Sequence, residues 1–233
     1  MKREALIVAL DVEDLQAVRR IVRRLSPSVQ FYKVGLRLFT REGPRVVRWL
    51  KRKGLKVFLD LKFHDIPNTV SQAVESACRL GVDFMTVHAL GGEEMMKGAV
   101  ESARRASKKW KKSPPKIFAV TILTSQNDLL PLGIAGSVKN GVLRLARLAR
   151  KAGVNGLVCS PEEVKELKKR YRKAFRFITP GIRLNSQNRD DQKRTATPEQ
   201  ALSRGADYLV VGRPILNASR PREVAENILK GRA

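Results

Sequence analysis

Short apolar runs alternate with longer amphipathic stretches along the whole chain. We interpret the runs as strands buried on both faces, and the stretches as helices with one apolar face. The predicted strands are 5–10, 29–34, 56–61, 83–87, 117–122, 155–159, 175–178 and 207–211. The predicted helices are 14–25, 43–53, 69–80, 92–107, 137–152, 161–172, 198–204 and 221–229. This strict strand–helix alternation, without a linker, predicts a single α/β domain over 1–233, a (β/α)8 TIM barrel, in preference to a doubly wound open sheet.

Size and composition fit that fold. The 233 residues are typical of an undivided barrel, and 42% hydrophobic with 30% charged residues is typical of a soluble globular protein. No apolar run is long enough for a signal peptide or a membrane span, so we expect no membrane partner. Cys78 and Cys159 define no disulfide framework, which predicts a reduced, cytoplasmic setting.

The net charge of +25 raises the question of a nucleic-acid partner. The basic residues are, however, spread over several segments, mostly at helical spacing beside apolar residues, as on a solvated helix face. Aromatic residues make up only 6% of the chain and form no platform for base stacking. We therefore expect no specific nucleic-acid partner, and note that a positive field also attracts small anionic substrates.

Charged residues follow the first three predicted strands. Asp11 follows the first, Lys33 closes the second, and Asp60, Lys62 and Asp65 come at the end of the third. Asp60 and Lys62 would share one strand face roughly 6–7 Å apart. Because buried charges are costly unless they are paired, and because barrel active sites form at the carboxyl ends of strands, these residues predict a site of alternating charge.

Two glycine–arginine turns follow the last two predicted strands. Gly181 and Gly212 would let backbone N–H groups approach an anion, and Arg183 and Arg213 would add bidentate donors. Such turns after strands seven and eight of a barrel are typical of a phosphate site. The polar segment 184–195 follows strand seven, and we predict that it is a phosphate-gripping loop.

The same region also offers potential metal ligands. Asp11, Asp60, His64 and His88 could in principle bind a divalent cation. Lysine side chains aimed at the same cavity would repel the ion and neutralise the carboxylates, so no metal is predicted. His88 is interpreted as a strand-end residue hydrogen-bonded to the backbone.

The segment Asp60–Thr69 resembles the signature of the orotidine 5′-phosphate decarboxylase family in its bacterial form. The resemblance continues, in order and spacing, over nearly the whole chain. It rests on the segments 9–11, 32–35, 120–125, 180–183, 190–192 and 206–215.

The resemblance implies the loss of CO2 from C6 of orotidine 5′-phosphate (OMP), the last step of UMP synthesis, without a metal or organic cofactor. It assigns Lys62 as the acid that protonates C6 and places Asp60 against the departing carboxylate. Lys33 and Asp11 would hold the ribose hydroxyls. Asp65 would enter the neighbouring site across a homodimer interface.

The resemblance also implies the remaining substrate contacts. Thr124 would face the pyrimidine edge. The other residues expected to bind the substrate, mainly at its phosphate, are Thr69, Arg183, Gln192, Gly212 and Arg213. The alternative is a sister enzyme of the same suprafamily, a Mg-dependent sugar-phosphate lyase or decarboxylase similar to hexulose-phosphate synthase. The segment that follows Lys62 favours the nucleotide substrate.

Overall fold

The chain folds into a closed barrel of parallel strands, seen here in a computed structural model that describes residues 5–184 and 194–231. Each strand pairs with its sequence neighbours, and the first pairs with the last, where Ile7 lies opposite Val210. The strands are β1 (Leu6–Ala9), β2 (Phe31–Gly35), β3 (Lys56–Phe63), β4 (Phe84–His88), β5 (Lys116–Val120), β6 (Gly156–Val158), β7 (Arg176–Thr179) and β8 (Tyr208–Val211). The predicted (β/α)8 barrel is confirmed.

Helices surround the barrel, and all eight predicted ones are present. They are α1 (Leu15–Leu25), α2 (Leu36–Glu42), α3 (Pro44–Arg52), α4 (Pro67–Arg79), α5 (Gly92–Lys109), α6 (Val138–Lys151), α7 (Pro161–Tyr171), α8 (Pro198–Ser203), α9 (Arg213–Leu216) and α10 (Pro221–Lys230). Several begin with side-chain caps. Ser160 and Glu163 form a capping box at the start of α7, and Asp14 accepts a hydrogen bond from the amide of Ala17 at the start of α1.

Apolar side chains fill the barrel at its amino-terminal end. Phe31, Phe84 and Tyr208 are the first residues of their strands. The Phe84 ring lies 4.8 Å from the Phe31 ring and 5.1 Å from the Tyr208 ring, both edge-on. A second, larger apolar layer lies between the strands and the helices. Because the aromatic rings close one end, the space for a ligand is at the carboxyl ends of the strands.

Two short helices were not predicted. In α2 only Leu38 is buried, so its sequence carries no apolar stripe of helical period. The single turn α9 begins directly after Gly212, where the prediction had only a loop. The third strand is also longer than predicted, since β3 continues through Lys62 to Phe63. Of the predicted phosphate-gripping loop 184–195, residues 185–193 lie outside the described residues.

Candidate active site

Three charged side chains meet at the carboxyl ends of β2 and β3. The Asp60 carboxylate lies between two ammonium groups, with Lys62 Nζ 3.0 Å from Oδ1 and Lys33 Nζ 3.5 Å from Oδ2. Lys33 Nζ also lies 3.4 Å from Oδ1 of Asp11, which follows β1. The predicted row of alternating charges is therefore present, in the spatial order Asp11, Lys33, Asp60, Lys62.

The backbone around this row is irregular. Lys62 has a φ of 51°, in the left-handed region that side-chain-bearing residues rarely adopt. Regular β3–β4 pairing stops at Leu59 and resumes at Phe63. The strand is therefore not the regular one assumed from the sequence. A Cβ atom at Gly35 would lie 2.8 Å from Lys33 Nζ, so glycine at this position leaves room for that ammonium group.

Burial and charge act in opposite directions on Asp60, which is only 8% exposed. Burial alone would raise the pKa of the Asp60 carboxyl, but Lys33 and Lys62 outweigh it and hold the pKa below its ordinary value. Burial likewise favours neutral Lys33, yet Asp60 and Asp11 raise the pKa of its ammonium group. Asp60 and Lys33 are therefore both charged at neutral pH, and each of these buried charges is paired.

Two imidazoles stack beside the row. The His64 and His88 rings lie 5.4 Å apart, and His88 Nδ1 accepts a hydrogen bond from the amide of Leu90. Burial, His64 and Lys62 lower the pKa of His88 to about 4. His88 is thus bonded to the backbone, as predicted. In residues 5–184 and 194–231, no three His, Cys, Asp or Glu side chains are grouped so that they could hold a metal ion.

A cavity of about 210 Å³ opens over the charged row. Lys33, Asp60 and Lys62 line one side, and Thr124 lies on the wall formed after β5. The two glycine–arginine turns after β7 and β8 also line this cavity. The residues of these turns that line the cavity are Pro180, Gly181, Arg183, Gly212 and Arg213. The structure thus brings the predicted phosphate-binding turns and the charged row to one cavity.

The remaining predicted site residues are not in this cavity. Asp65 and Thr69 are exposed on the surface at the start of α4, outside the cavity lining. Asp65 accepts a hydrogen bond from the amide of the adjacent Ile66 at 2.7 Å. Gln192 lies outside the described residues.

Sequence reasoning did not identify Arg194 as a structural residue. Its guanidinium is buried, forms an ion pair with Glu163 of α7, and donates to the carbonyl oxygens of Ile122 and Leu123. Arg194 therefore ties the chain just before α8 to the segment that leads to Thr124. Nothing in the local sequence distinguishes this arginine from the chain's many exposed ones.

Sequence reasoning also missed Thr86 of β4. Its hydroxyl lies within hydrogen-bond distance of both Asp60 and the backbone amide of Lys62. Here a signal did exist, because a hydroxyl inside a predicted buried strand requires a hydrogen-bond partner.

The closed barrel and the charged cavity at the carboxyl ends of its strands define an enzyme of the TIM-barrel class. A family model described as "Orotidine 5'-phosphate decarboxylase / HUMPS family" matches residues 4–228. The chain belongs to this family.

Individual relatives agree with the family match. The chain is 46% identical to an orotidine 5′-phosphate decarboxylase of Legionella pneumophila (strain Corby), with 97% of both chains covered. It is 48% identical to one of Geotalea uraniireducens (strain Rf4), with 97% of this chain and 94% of the relative covered. The crystal structure of orotidine 5′-phosphate decarboxylase from Lactobacillus acidophilus superposes with a TM-score of 0.86 at 40% identity, covering 97% of this chain and 98% of that one.

Proposed function

We propose that the protein is a carboxy-lyase that converts OMP to UMP and CO2 without a metal or organic cofactor, as the last step of pyrimidine nucleotide synthesis. The observation that carries this proposal is the row of Asp11, Lys33, Asp60 and Lys62, which lines one cavity together with Arg183 and Arg213. The curated relatives named above carry the same activity in their names.

The charged row suits the chemistry at C6. The C6–carboxylate bond breaks, its electron pair stays on C6, and CO2 leaves; a proton from the Lys62 ammonium group then bonds to C6 and leaves Lys62 neutral until it takes a proton from solvent. A fixed cation stabilises the carbanion as it forms. Asp60 would lie beside the substrate carboxylate, and Lys33 with Asp11 would hold the ribose hydroxyls.

The glycine–arginine turns that line the cavity suit the phosphate. Arg183 and Arg213 carry guanidinium groups, and Gly212 has no side chain to obstruct an anion that approaches the backbone. We propose that Thr124 contacts the pyrimidine edge and that Gln192 in the loop 184–195 contacts the phosphate. Gripping a phosphate far from C6 would aid catalysis by ordering the site around the substrate.

We further propose that the enzyme works as a homodimer in which Asp65, and with it Thr69, reaches the partner's site. Both residues are exposed and outside the cavity of their own chain. Among the residues that the structure describes, the exposed large apolar ones lie in segments that follow β2, β3, β4 or β5, at the same end of the barrel as the site. They are Leu36, Ile66, Leu90, Leu123 and Leu130. Exposed apolar residues gathered in this way favour a protein partner at that face.

A cytoplasmic location is part of the proposal. It is supported by two cysteine thiols that are buried and unpaired, Cys78 and Cys159, as expected in a reducing compartment. Burial raises the pKa of the Cys159 thiol to about 12, which keeps it protonated. Among the described residues, no helix is long and apolar enough to cross a lipid bilayer.

The deciding experiment follows the absorbance of OMP in the presence of the enzyme, with and without EDTA. We expect turnover that survives the chelator, and a fall in kcat of at least roughly 10³-fold in Lys62→Ala, because the proton donor and the cation at C6 are both lost. Lys56→Ala, which removes a lysine from the opposite end of the same strand, is the matched control and should remain active.

Three results would contradict the proposal. If Lys62→Ala is nearly as active as the wild type, Lys62 is not the proton donor. If turnover is lost on chelation, the cofactor-free mechanism is wrong. If the enzyme does not consume OMP but converts a sugar phosphate in the presence of Mg2+, the sister-enzyme alternative is correct.

A further inference from the structure

The hydroxyl of Thr86 contacts two residues of the charged row, Asp60 and Lys62, from the strand next to theirs. Thr86 lies in β4 and is fully buried. Its Oγ1 lies 2.9 Å from the backbone nitrogen of Lys62 and 3.0 Å from Oδ1 of Asp60. It does not line the cavity, so it has no direct route to a substrate.

The pairing of β3 with β4 explains why a side chain is needed here. Leu59 pairs with Met85, and the next pair is Phe63 with Val87. Three residues of β3 therefore lie opposite the single residue Thr86, a bulge of two extra residues. At a bulge the backbone hydrogen bonds between the two strands are interrupted, so the amide of Lys62 needs another acceptor. The Thr86 hydroxyl supplies it. The backbone at Lys62 is itself unfavourable, with a φ of 51°.

The direction of the two hydrogen bonds follows from their atoms. An amide can only donate, so Oγ1 accepts from Lys62 N and its own proton is left for the Asp60 carboxylate, which can only accept. Oδ1 of Asp60 then receives two donors, the Thr86 hydroxyl and Lys62 Nζ, while Oδ2 faces Lys33 Nζ. One hydroxyl thus fixes both the backbone that carries Lys62 and the carboxylate that Lys62 contacts.

We propose that Thr86 is a positioning residue for the decarboxylation, acting through Asp60 and Lys62; this rests on the catalytic roles proposed for those two residues. Without the hydroxyl, the amide of Lys62 loses its buried acceptor and Asp60 loses a donor. The Lys62 ammonium group is then held less firmly at the reacting carbon, and a small misplacement of such a group is costly in rate.

The test compares Thr86→Val, which keeps the shape but removes the hydroxyl, with Thr86→Ser, which keeps the hydroxyl. We expect Thr86→Val to lower kcat roughly 10- to 100-fold, because a buried hydrogen bond to a charged group is lost. We expect Thr86→Ser to recover most of this loss, and the affinity for UMP to change much less than kcat in both variants.

A second readout follows the charge of Asp60. The Thr86 hydroxyl is among the groups that lower the pKa of the Asp60 carboxyl, so its removal should move the acid limb of the kcat profile to higher pH. A carboxyl NMR titration of Asp60 measures the same shift without any turnover. The matched control is Thr179→Val, because Thr179 is also a fully buried strand threonine but its hydroxyl has no hydrogen-bond partner among the described residues.

The proposal is overturned by wild-type kcat in Thr86→Val, by an equal loss in Thr86→Ser, or by an equal loss in Thr179→Val. If Thr86→Val does not fold, Thr86→Ala replaces it: we expect the same loss of kcat in Thr86→Ala, and most of it recovered in Thr86→Ser. The two proposals fail separately. Absence of OMP turnover in the wild type would overturn the proposed function, whereas an unchanged titration of Asp60 in the hydroxyl-free variant would overturn the role of Thr86.

Discussion

At the scale of single residues, Asp60 organises the candidate site. Its carboxylate contacts Lys33 from β2, Lys62 from its own strand and Thr86 from β4. A buried carboxylate with this many partners is stabilising only while all of them are present, since removing one leaves charge unpaired. The catalytic geometry and the local stability of the strand ends therefore depend on the same few contacts.

His88 gives a residue-scale prediction about pH. Its pKa is lowered to about 4 from an ordinary value of 6.5, so as the pH falls the unfolded chain takes up a proton before the folded chain does. Above pH 6.5 the titration of His88 does not affect folding, because the imidazole is neutral in both states, and as the pH falls from 6.5 towards 4 it increasingly opposes folding. We expect His88→Asn, which keeps a possible acceptor for the Leu90 amide, to flatten the fall in Tm across this window.

The control for this prediction is the other histidine of the chain. His64→Asn removes one of the lesser causes of the lowered His88 pKa but leaves burial, the largest cause, in place, so most of the slope of Tm against pH should remain. Thermal unfolding followed by circular dichroism from pH 7 to pH 4 gives both slopes. A His88→Asn slope equal to that of the wild type would show that another group causes the acid sensitivity.

At the scale of elements, a buried ion pair connects three parts of the carboxyl-end face. Glu163 receives the Arg194 guanidinium on one oxygen and the amide of Ser160 on the other, at the capped start of α7. Arg194 also donates to the carbonyl oxygens of Ile122 and Leu123. The segment after β5, the start of α7 and the chain entering α8 are thus held in one network.

This network predicts a strongly non-additive pair of substitutions. Arg194→Met should destabilise the protein by about 3 kcal/mol or more, because it leaves the Glu163 carboxylate buried without its partner. Adding Glu163→Gln removes that charge while keeping an oxygen for the Ser160 amide, so the double variant should be more stable than Arg194→Met alone. Urea denaturation measures each free energy of unfolding.

An exposed ion pair serves as the comparison. Lys139 and Glu166 lie 2.6 Å apart with side chains 65% and 41% exposed. Lys139→Met should cost less than about 1 kcal/mol, since exposed pairs are well solvated when broken. Equal costs for Arg194→Met and Lys139→Met would mean that the buried network does not hold the elements together.

At the scale of the whole molecule, the topology separates the basic surface from the site. Helices of a (β/α)8 barrel run opposite to its strands, so their last turns lie at the amino-terminal end, away from the cavity. The last turns of α1, α3, α5 and α7 all carry two or more lysines or arginines. Cations there interact favourably with the helix dipole, which agrees with the predicted solvated helix faces.

The proposed homodimer leads to a whole-molecule prediction. Asp65→Asn and Lys62→Ala should each be nearly inactive, but a refolded equimolar mixture should regain activity, because half of the sites in a mixed dimer combine intact Asp65 with intact Lys62. Random pairing in a two-fold dimer restores roughly a quarter of the wild-type sites. The measurement is OMP turnover per chain, with sedimentation to establish the oligomeric state.

The matched control mixes Lys62→Ala with Asp60→Asn. Asp60 and Lys62 come from the same chain at each site, so no mixed dimer contains an intact cavity and no recovery is expected. If the first mixture also stays inactive, Asp65 does not act across the interface. A monomer in sedimentation would contradict the dimer itself.

The order of strands and helices could be predicted from the amino-acid sequence alone. Buried parallel strands appear as short apolar runs and amphipathic helices as apolar residues at helical spacing, and both patterns can be read from residues that are close together in the chain. The sequence also indicated which strand ends carry charge, and the structure brings Asp11, Lys33, Asp60 and Lys62 together there. Three features became apparent only in the folded molecule: the bulge that places Lys62, the hydrogen bond between Thr86 and Asp60, and the Arg194–Glu163 pair. Each of these is a contact between residues distant along the chain, and its energy depends on burial and on the register between strands, which no local pattern encodes.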